Sequence, residues 1–237
     1  MAVMPKPLDI LFIHPNAAKK IYQDLSKDYS AIEPPIWAGM LASHCLTQGF
    51  GTEIIDCEAL HLDEDQAAQE IARYKPRVAC LVIYGQQPSA SSQNMDGSVA
   101  LAEKVKHLLP DTKILFVGGH VAALPREVLQ KHSFVDMVCQ NEGVYTIPNL
   151  LRTNLKDKLE QVAGLGWRNN GQIVLNPPSP IVAKEDLPRD LPGVCWDKLP
   201  MKNYRTALWH SMPNNAERQP FAAIYTSLGC PMKCSFC

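Results

Sequence analysis

The 237-residue chain contains 46% hydrophobic and 20% charged residues, proportions typical of a folded, water-soluble protein. A formal net charge of −1 gives no electrostatic basis for binding nucleic acid or an anionic membrane, and no nucleic-acid partner is expected. No apolar stretch approaches the roughly 18 residues of a transmembrane helix, and the first apolar run is too short for a signal peptide, so a cytoplasmic location is expected.

Short apolar runs alternate with amphipathic segments through the first 152 residues. The apolar runs predict strands at residues 8–14, 52–56, 77–84, 113–117 and 134–139. The amphipathic segments predict helices at residues 35–48, 63–74, 95–109, 125–131 and 143–152. This alternation predicts an α/β fold, a doubly wound, five-stranded parallel sheet with helices on both faces. Such sheets bind ligands beyond the carboxyl ends of their strands, so residues that follow strands are the candidate site residues.

The alternation of strands and helices ends after residue 152. Residues 164–175 predict a β-hairpin with an Asn170-Gly171 turn. Nine of the nineteen prolines lie between Pro177 and Pro231, a density that favours an extended, wrapping linker. Residues 221–226 predict one more buried strand. The chain is therefore divided into a ligand-binding domain (1–152), a hairpin and proline-rich linker (153–220), and a short last unit (221–237).

Glycines and polar residues follow the third and fourth predicted strands. Tyr84-Gly85 and Gly118-Gly119 are places where a backbone without side chains could approach a flat ligand closely, although simple turns explain glycines equally well. The polar segment 86–94 reads as a flexible loop able to hydrogen-bond a nucleotide tail, or as an ordinary solvated loop. Two such turns on adjacent strands favour a binding crevice.

Three cysteines lie within the last eight residues, at Cys230, Cys234 and Cys237. Three thiolates on a [4Fe–4S] cluster leave one iron open to a substrate or cofactor. A structural zinc site is the alternative, but it needs four ligands, and the remaining cysteines are solitary. His210 is the nearest upstream histidine, and its spacing does not support a fourth ligand. The cluster is therefore the favoured interpretation.

The cysteine spacing CxxxCxxC, with Phe236 before the third cysteine, resembles the signature of radical S-adenosylmethionine (SAM) enzymes. The resemblance implies that Cys230, Cys234 and Cys237 ligate a [4Fe–4S] cluster and that SAM chelates its open iron. In that family the reduced cluster cleaves SAM to a radical that abstracts hydrogen from carbon, with electrons from a donor such as flavodoxin or ferredoxin. Residues 221–226 would then form the first strand of a partial barrel, whose remainder is expected to lie beyond this sequence.

Residues 8–152 resemble the cobalamin-binding domain that precedes the barrel in one branch of that superfamily. The resemblance rests on PPxxxGxLA at residues 34–42, Asp56 after the second strand, Gly118-Gly119-His120, Glu142-Gly143, and the segments 196–200 and 204–205. It implies a cobalamin cofactor, with these candidate contacts: Pro35, Gly39, Tyr84, Gly85, Ser89, Gly118, Gly119, His120, Glu142 and Gly143. Asp56 itself either contacts the ligand or caps a turn, and the turn is slightly favoured.

Two positions depart from the patterns of cobalamin proteins. Methionine-synthase-type domains carry DxHxxG after the first strand, whereas here His14 lacks both the aspartate and the glycine. His14 is therefore not expected to ligate cobalt through that motif, and hydrogen bonding at the strand end is the favoured alternative. Residues 140–144 read QNEGV where the family usually has GEGE, which changes that loop.

The sequence thus predicts the cobalamin-binding and [4Fe–4S]/SAM-binding portion of a radical SAM enzyme, a methyltransferase or a related C–H functionalising enzyme. The alternative is a stand-alone cobalamin carrier. A signalling receiver would need an aspartate where Tyr84 stands, and a dinucleotide-binding domain would need GxGxxG, which is absent. The expectation is no turnover by these 237 residues alone. Solitary Cys45, Cys80 and Cys139 are expected to be buried, and the four tryptophans are expected to be packing anchors.

Overall fold

The computed structural model describes residues 8–26, 30–85, 88–206, 220–229 and 232, which fold around one seven-stranded sheet. The strands are β1 (Ile10–His14), β2 (Thr52–Asp56), β3 (Val78–Ile83), β4 (Lys113–Gly118), β5 (Met137–Cys139), β6 (Leu165–Asn169) and β7 (Gln172–Leu175). Their order in the sheet is β2-β1-β3-β4-β5-β6-β7, and β1 to β5 are parallel. The predicted five-stranded parallel sheet is confirmed.

The predicted hairpin forms and extends the sheet. β6 pairs antiparallel with both β5 and β7, so the hairpin covers the edge that β5 would otherwise expose. Asn170 and Gly171 both have positive φ, 48° and 83°, as the tight turn of a two-residue hairpin requires.

Helices connect the strands and cover both faces of the sheet. They are α1 (Ala18–Tyr22), α2 (Ile36–Thr47), α3 (Glu64–Tyr74), α4 (Pro88–Gln93), α5 (Met95–Leu108), α6 (Gly119–Ala123), α7 (Pro125–Lys131), α8 (Thr146–Leu151) and α9 (Leu187–Asp190). α3 begins at a capping box, in which the Asp63 carboxylate accepts from the Gln66 backbone N–H and the Gln66 side chain accepts from the Asp63 N–H. No helix among the described residues is long and apolar enough to cross a membrane.

Two apolar layers hold the helices against the sheet, one on each face. β3 is buried along its whole length because both layers contact it. Cys45, Cys80 and Cys139 belong to one layer and are buried, as predicted. Burial raises the pKa of the Cys45 thiol to about 12, so it stays protonated and packs as a small apolar side chain.

In its described part, residues 177–206, the proline-rich region is an extended chain that contains α9 and one-turn helices at Lys184–Asp186, Trp196–Lys198 and Met201–Asn203. Residues 195–206, called the strap below, lie against β2 and the turn that follows it. The Lys198 amine is 2.8 Å from Glu53 Oε1, and the Asn203 amide donates to the Ala59 carbonyl. Arg205 forms an antiparallel bridge with Ile32.

Residues 221–226 form no strand, contrary to the sequence-based expectation, and most of their side chains are exposed. A strand requires a neighbour that accepts and donates its backbone hydrogen bonds. Within the described residues, this segment is bonded to the strap through Phe221, whose N–H donates to the Tyr204 carbonyl at 3.2 Å. The segment is therefore extended coil beside the strap.

Candidate functional site

The residues predicted to form a site lie together at the carboxyl edge of the parallel strands. Strand register places His14 beside Asp56 and Ile83 beside Gly118, so the ends of β1, β2, β3 and β4 are level. The strand order changes direction between β1 and β3, which is where ligands bind in open α/β sheets. The edge divides into two halves, the ends of β1 and β2 and the ends of β3, β4 and β5.

Gly118 allows the ends of β3 and β4 to approach each other. A Cβ atom at this position would lie 2.1 Å from the Ile83 carbonyl oxygen and 2.7 Å from the Ile83 carbonyl carbon. Because backbone cannot move aside like a flexible side chain, only glycine fits here. The glycine is thus explained by strand packing, and it also leaves this stretch of the edge without a side chain.

The segment expected to be a flexible polar loop forms α4 instead. Its side chains hydrogen-bond the neighbouring strand ends, which explains why a serine-rich segment becomes ordered. The buried Ser91 hydroxyl donates to the Ile83 carbonyl and accepts from the His120 N–H at 2.9 Å. Ser92 Oγ lies 2.8 Å from His120 Nδ1, and the Asn94 amide donates to the Tyr84 carbonyl at 3.1 Å. α4 therefore links the ends of β3 and β4 and orients His120.

An aromatic group forms one wall of the β3 end. Trp37 of α2 stacks on Tyr84, with ring centroids 4.8 Å apart and planes 21° from parallel. Tyr225 lies against the other ring of this pair, Trp37, at 6.4 Å. Burial, followed by the charge of Glu142, raises the pKa of Tyr84, so its hydroxyl stays protonated. Trp37 was expected to be only a packing anchor, and the stack places it beside the candidate site.

The turn after β5 brings Glu142 to the same edge. Gly143 has φ +81°, a left-handed conformation that favours glycine, and its N–H donates to the Asn141 side chain at 3.2 Å. The Asn141 amide in turn donates to the Ser179 carbonyl. Asn141, in the loop that departs from the family pattern, thus fastens it to the proline-rich region.

Pro35 and Gly39 lie at the start of α2, where the proline-rich region packs against this helix. Pro35 precedes the first residue of α2, and its carbonyl accepts from the Gly39 N–H. A Cβ atom at Gly39 would lie 2.4 Å from Val194 Cγ1. The space beside Gly39 is therefore filled by Val194.

The β1 and β2 half of the edge holds a buried polar network. Asp56 Oδ1 accepts from the Glu58 and Ala59 N–H groups, both at 3.1 Å, so Asp56 caps the turn after β2 as favoured from the sequence. His14 Nε2 is 3.5 Å from Glu58 Oε2. Burial lowers the pKa of His14, but the charge of Asp56 and hydrogen bonds to Glu58 and the Val82 backbone raise it more, so the net shift is upward. The histidine is thus committed to protein partners.

The structure therefore brings Tyr84, Gly85, Gly118, Gly119 and His120 to one half of the edge, with Glu142 and Gly143 beside them. Ser89 lies in α4, and its side chain, like the whole Cys230, Cys234 and Cys237 motif, lies outside the described residues. Among the residues described, no group of three or more histidine, cysteine or acidic side chains is positioned to hold a metal. A side-chain-free edge, an aromatic wall and a serine-rich helix suit a large, flat ligand with a polar periphery.

Comparisons with known proteins also indicate a domain that binds a large, flat ligand. Residues 25–151 match the model of the B12 binding domain. The chain is 26% identical over 205 residues to the uncharacterized methyltransferase PH0819 of Pyrococcus horikoshii, covering 86% of this chain and 40% of that protein. It is 28% identical over 242 residues to the anaerobic magnesium-protoporphyrin IX monomethyl ester cyclase of Rubrivivax gelatinosus, covering 96% of this chain and 38% of the cyclase.

Among solved structures, the fold resembles TsrM of Kitasatospora setae, a radical S-adenosylmethionine methyltransferase. The TM-score is 0.57 at 14% identity, and the match covers 74% of this chain and 31% of TsrM. This likeness concerns the fold alone. The chain spans two fifths or less of the length of the curated relatives described above.

Proposed function

The chain belongs to the B12-binding domain family, and from that membership we propose that it binds cobalamin at the carboxyl ends of β3, β4 and β5. The observation that carries the proposal is the level, side-chain-free edge at Gly118, where the close approach to Ile83 excludes any other residue. The strap covers the end of β2, and the ends of β3, β4 and β5 remain for a large ligand.

The proposed contacts are those that the resemblance implies. The ligand lies against the backbone of Gly85, Gly118 and Gly119. It also contacts the His120 ring on the side away from Nδ1, because Ser92 bonds to Nδ1 and Ser91 bonds to the His120 N–H. Further proposed contacts are Tyr84, Ser89, Glu142 and Gly143. Pro35 and Gly39 act indirectly in this proposal, because Val194 covers Gly39, so they position Trp37 of α2 against Tyr84.

We further propose that Cys230, Cys234 and Cys237 ligate a [4Fe–4S] cluster that binds SAM. The spacing of the three cysteines supports this, as does the likeness of the fold to part of TsrM, which is a radical S-adenosylmethionine methyltransferase. When bound, the cluster and SAM supply radical chemistry at unactivated carbon, and cobalamin supplies a methyl carrier. The contribution of the described residues is to bind and orient cobalamin at the sheet edge.

The proposed activity is that of a B12-dependent radical SAM enzyme, either a methyltransferase or another C–H functionalising enzyme. The names of the relatives support both versions, since they include a methyltransferase and a cyclase. A cytoplasmic location and an electron donor such as flavodoxin or ferredoxin belong to this proposal. The second candidate is a cobalamin carrier without catalysis, which the family membership supports equally and the cysteine motif disfavours.

The test is an anaerobic titration of the 237-residue chain with hydroxocobalamin, followed by desalting and the visible spectrum of the retained cofactor. Stoichiometric retention is expected, and loss of all cobalamin on desalting would contradict the proposed site. The chain with all three motif cysteines changed to serine is the matched control. It should retain cobalamin but lose the absorbance and electron paramagnetic resonance (EPR) signals of a reconstituted cluster. A cluster that survives these changes would refute the ligand assignment.

A further inference from the structure

A second cavity lies on the other half of the carboxyl edge, beside the ends of β1 and β2. Its volume is about 280 Å³. The lining residues are Asn16, Ala18, Lys19, Ser26, Ser30, Ile32, Glu58, His61 and Arg205. Since a water molecule occupies about 30 Å³ of liquid, the cavity has room for roughly ten non-hydrogen atoms. It is called the β1–β2 cavity below.

Contacts between distant parts of the chain build the β1–β2 cavity. The Asn16 amide donates to the Leu62 carbonyl at 3.2 Å, which joins the turn after β1 to the turn after β2. Ile32 and Arg205 exchange two backbone hydrogen bonds of 2.9 Å, which joins the segment before α2 to the strap. The walls at Asn16 and at Ile32 and Arg205 are therefore held in place by the fold.

The charges around the β1–β2 cavity favour an anion. Lys19 and Arg205 are cationic, and Lys19 forms no ion pair within the described part of the chain. The neighbouring Lys20, in contrast, pairs with Glu64 at 2.9 Å. The lining carboxylate, Glu58, already faces His14 at 3.5 Å. An ammonium group on a flexible stem at the rim of a cavity is a common binding group for phosphate.

The hydroxyl groups of the cavity indicate what should accompany the anion. The Ser26 hydroxyl donates to the Gln23 carbonyl at 2.7 Å, and the Ser30 hydroxyl donates to the Ser26 carbonyl at 2.5 Å. Because both protons are used, the oxygen atoms of these serines are left as acceptors. Glu58 is an acceptor as well. A matching ligand therefore carries hydroxyl donors close to its anionic group.

We propose that the β1–β2 cavity is a binding site for a small hydroxylated phosphate ester, separate from the cobalamin crevice. Lys19 binds the phosphate, and Ser26, Ser30 and Glu58 accept hydrogen bonds from the ligand hydroxyls. The sheet order leaves room for two sites, because β1, which leads to Lys19, lies two strands from β4, about 10 Å at the usual strand spacing. The site does not depend on cobalamin binding.

The probe is glycerol 3-phosphate, which carries one phosphate and two hydroxyl groups, titrated into the full chain and followed by ³¹P line broadening and by calorimetry. Saturable binding in the millimolar range is expected. Lys19→Gln should weaken it about tenfold, the value of one charged hydrogen bond. Lys20→Gln is the matched control, of equal charge change outside the cavity lining, and should leave the affinity unchanged. Circular dichroism establishes that both variants fold.

Absence of saturable binding, or equal weakening by both lysine variants, would overturn the site. The nucleotide loop of cobalamin also carries a phosphate beside a hydroxyl, so the titration is repeated with cobalamin bound. Unchanged affinity for glycerol 3-phosphate supports a separate site. Displacement by cobalamin, but not by cobinamide, which lacks the nucleotide loop, would assign the cavity to cobalamin itself and refute the separation.

Discussion

Tyr204 donates a 2.8 Å hydrogen bond from its hydroxyl to Asp56 Oδ2, joining two residues 148 positions apart. Both side chains are buried, and the other Asp56 oxygen accepts two backbone N–H groups. Burial, then the charge and hydrogen bonding of Asp56, raises the pKa of Tyr204, so the phenol keeps its proton. The bond therefore fastens the strap to the end of β2.

Tyr204→Phe is expected to lower the free energy of unfolding by about 2 kcal/mol. The substitution keeps the buried ring but leaves Asp56 Oδ2 without its donor, and a buried, unsatisfied acceptor costs about 1–3 kcal/mol. Urea unfolding followed by circular dichroism measures the change. Tyr225→Phe, which removes a hydroxyl from a side chain 38% exposed, is the control and should unfold like the parent. Equal free energies of unfolding for all three proteins would show that the hydrogen bond from Tyr204 does not contribute to stability.

Much of the sheet could be predicted from the sequence because each strand of the parallel part is a local apolar run. β3 is buried throughout, and its run of apolar residues is continuous. The hairpin was readable from Asn170-Gly171 for a similar local reason. The strand expected at 221–226 was wrong, because an apolar run specifies burial and β-propensity but does not supply a pairing partner.

The site was less accessible to sequence reasoning because its details depend on contacts between distant residues. Composition alone made the segment around Ser91 look like a loop, and its order comes from bonds to Ile83 and His120. Gly118 suggested room for a ligand, whereas the atom that excludes a side chain is the Ile83 carbonyl oxygen. The sequence around Trp37 indicated only apolar packing. Its stack on Tyr84 could not be predicted, because the two rings belong to elements that are distant in the sequence.

Gly118→Ala is expected to destabilise the protein by more than about 2 kcal/mol, since the new methyl group would overlap backbone and force β3 and β4 apart. Cobalamin retention should fall with it. Gly51→Ala is the matched control, because a Cβ atom there meets its nearest neighbour, Asp9 Oδ2, at an ordinary 3.5 Å. Thermal unfolding and the desalting assay measure both effects. A Gly118→Ala protein as stable as the control would contradict the close approach of the two strands.

Cobalt in the bound cofactor is expected to have no histidine ligand from His14. The ring is engaged by Glu58 and by the Val82 backbone, and ligation would break these contacts. The EPR spectrum of the chain loaded with cob(II)alamin should show no splitting from a histidine nitrogen. Labelling histidine with ¹⁵N should leave that spectrum unchanged, as should His14→Gln. A nitrogen splitting that disappears in His14→Gln would identify His14 as the axial ligand.

Asp190 is expected to make stability depend on pH in the acid range. Hydrogen bonds from Arg189, at 2.8 Å, and from the Tyr145 hydroxyl, at 2.6 Å, lower the pKa of Asp190 to about 2. A carboxylate whose pKa is lowered in the folded state stabilises that state above its unfolded pKa, about 3.9. The stabilisation is lost as the pH falls from about 4 to about 2.

Asp190→Asn should therefore cost about 1 kcal/mol at pH 7, less than the full shift implies because the Arg189 side chain is 69% exposed and solvent screens its charge. The difference between the parent and the variant should shrink towards zero as the pH falls below about 2, where the parent carboxylate becomes protonated in the folded protein. Urea unfolding at a series of pH values measures the difference. Asp186→Asn, which removes an exposed ion pair to the same arginine, should change stability little at any pH. A difference for Asp190→Asn that stays constant with pH would mean that the carboxylate charge contributes nothing to folding.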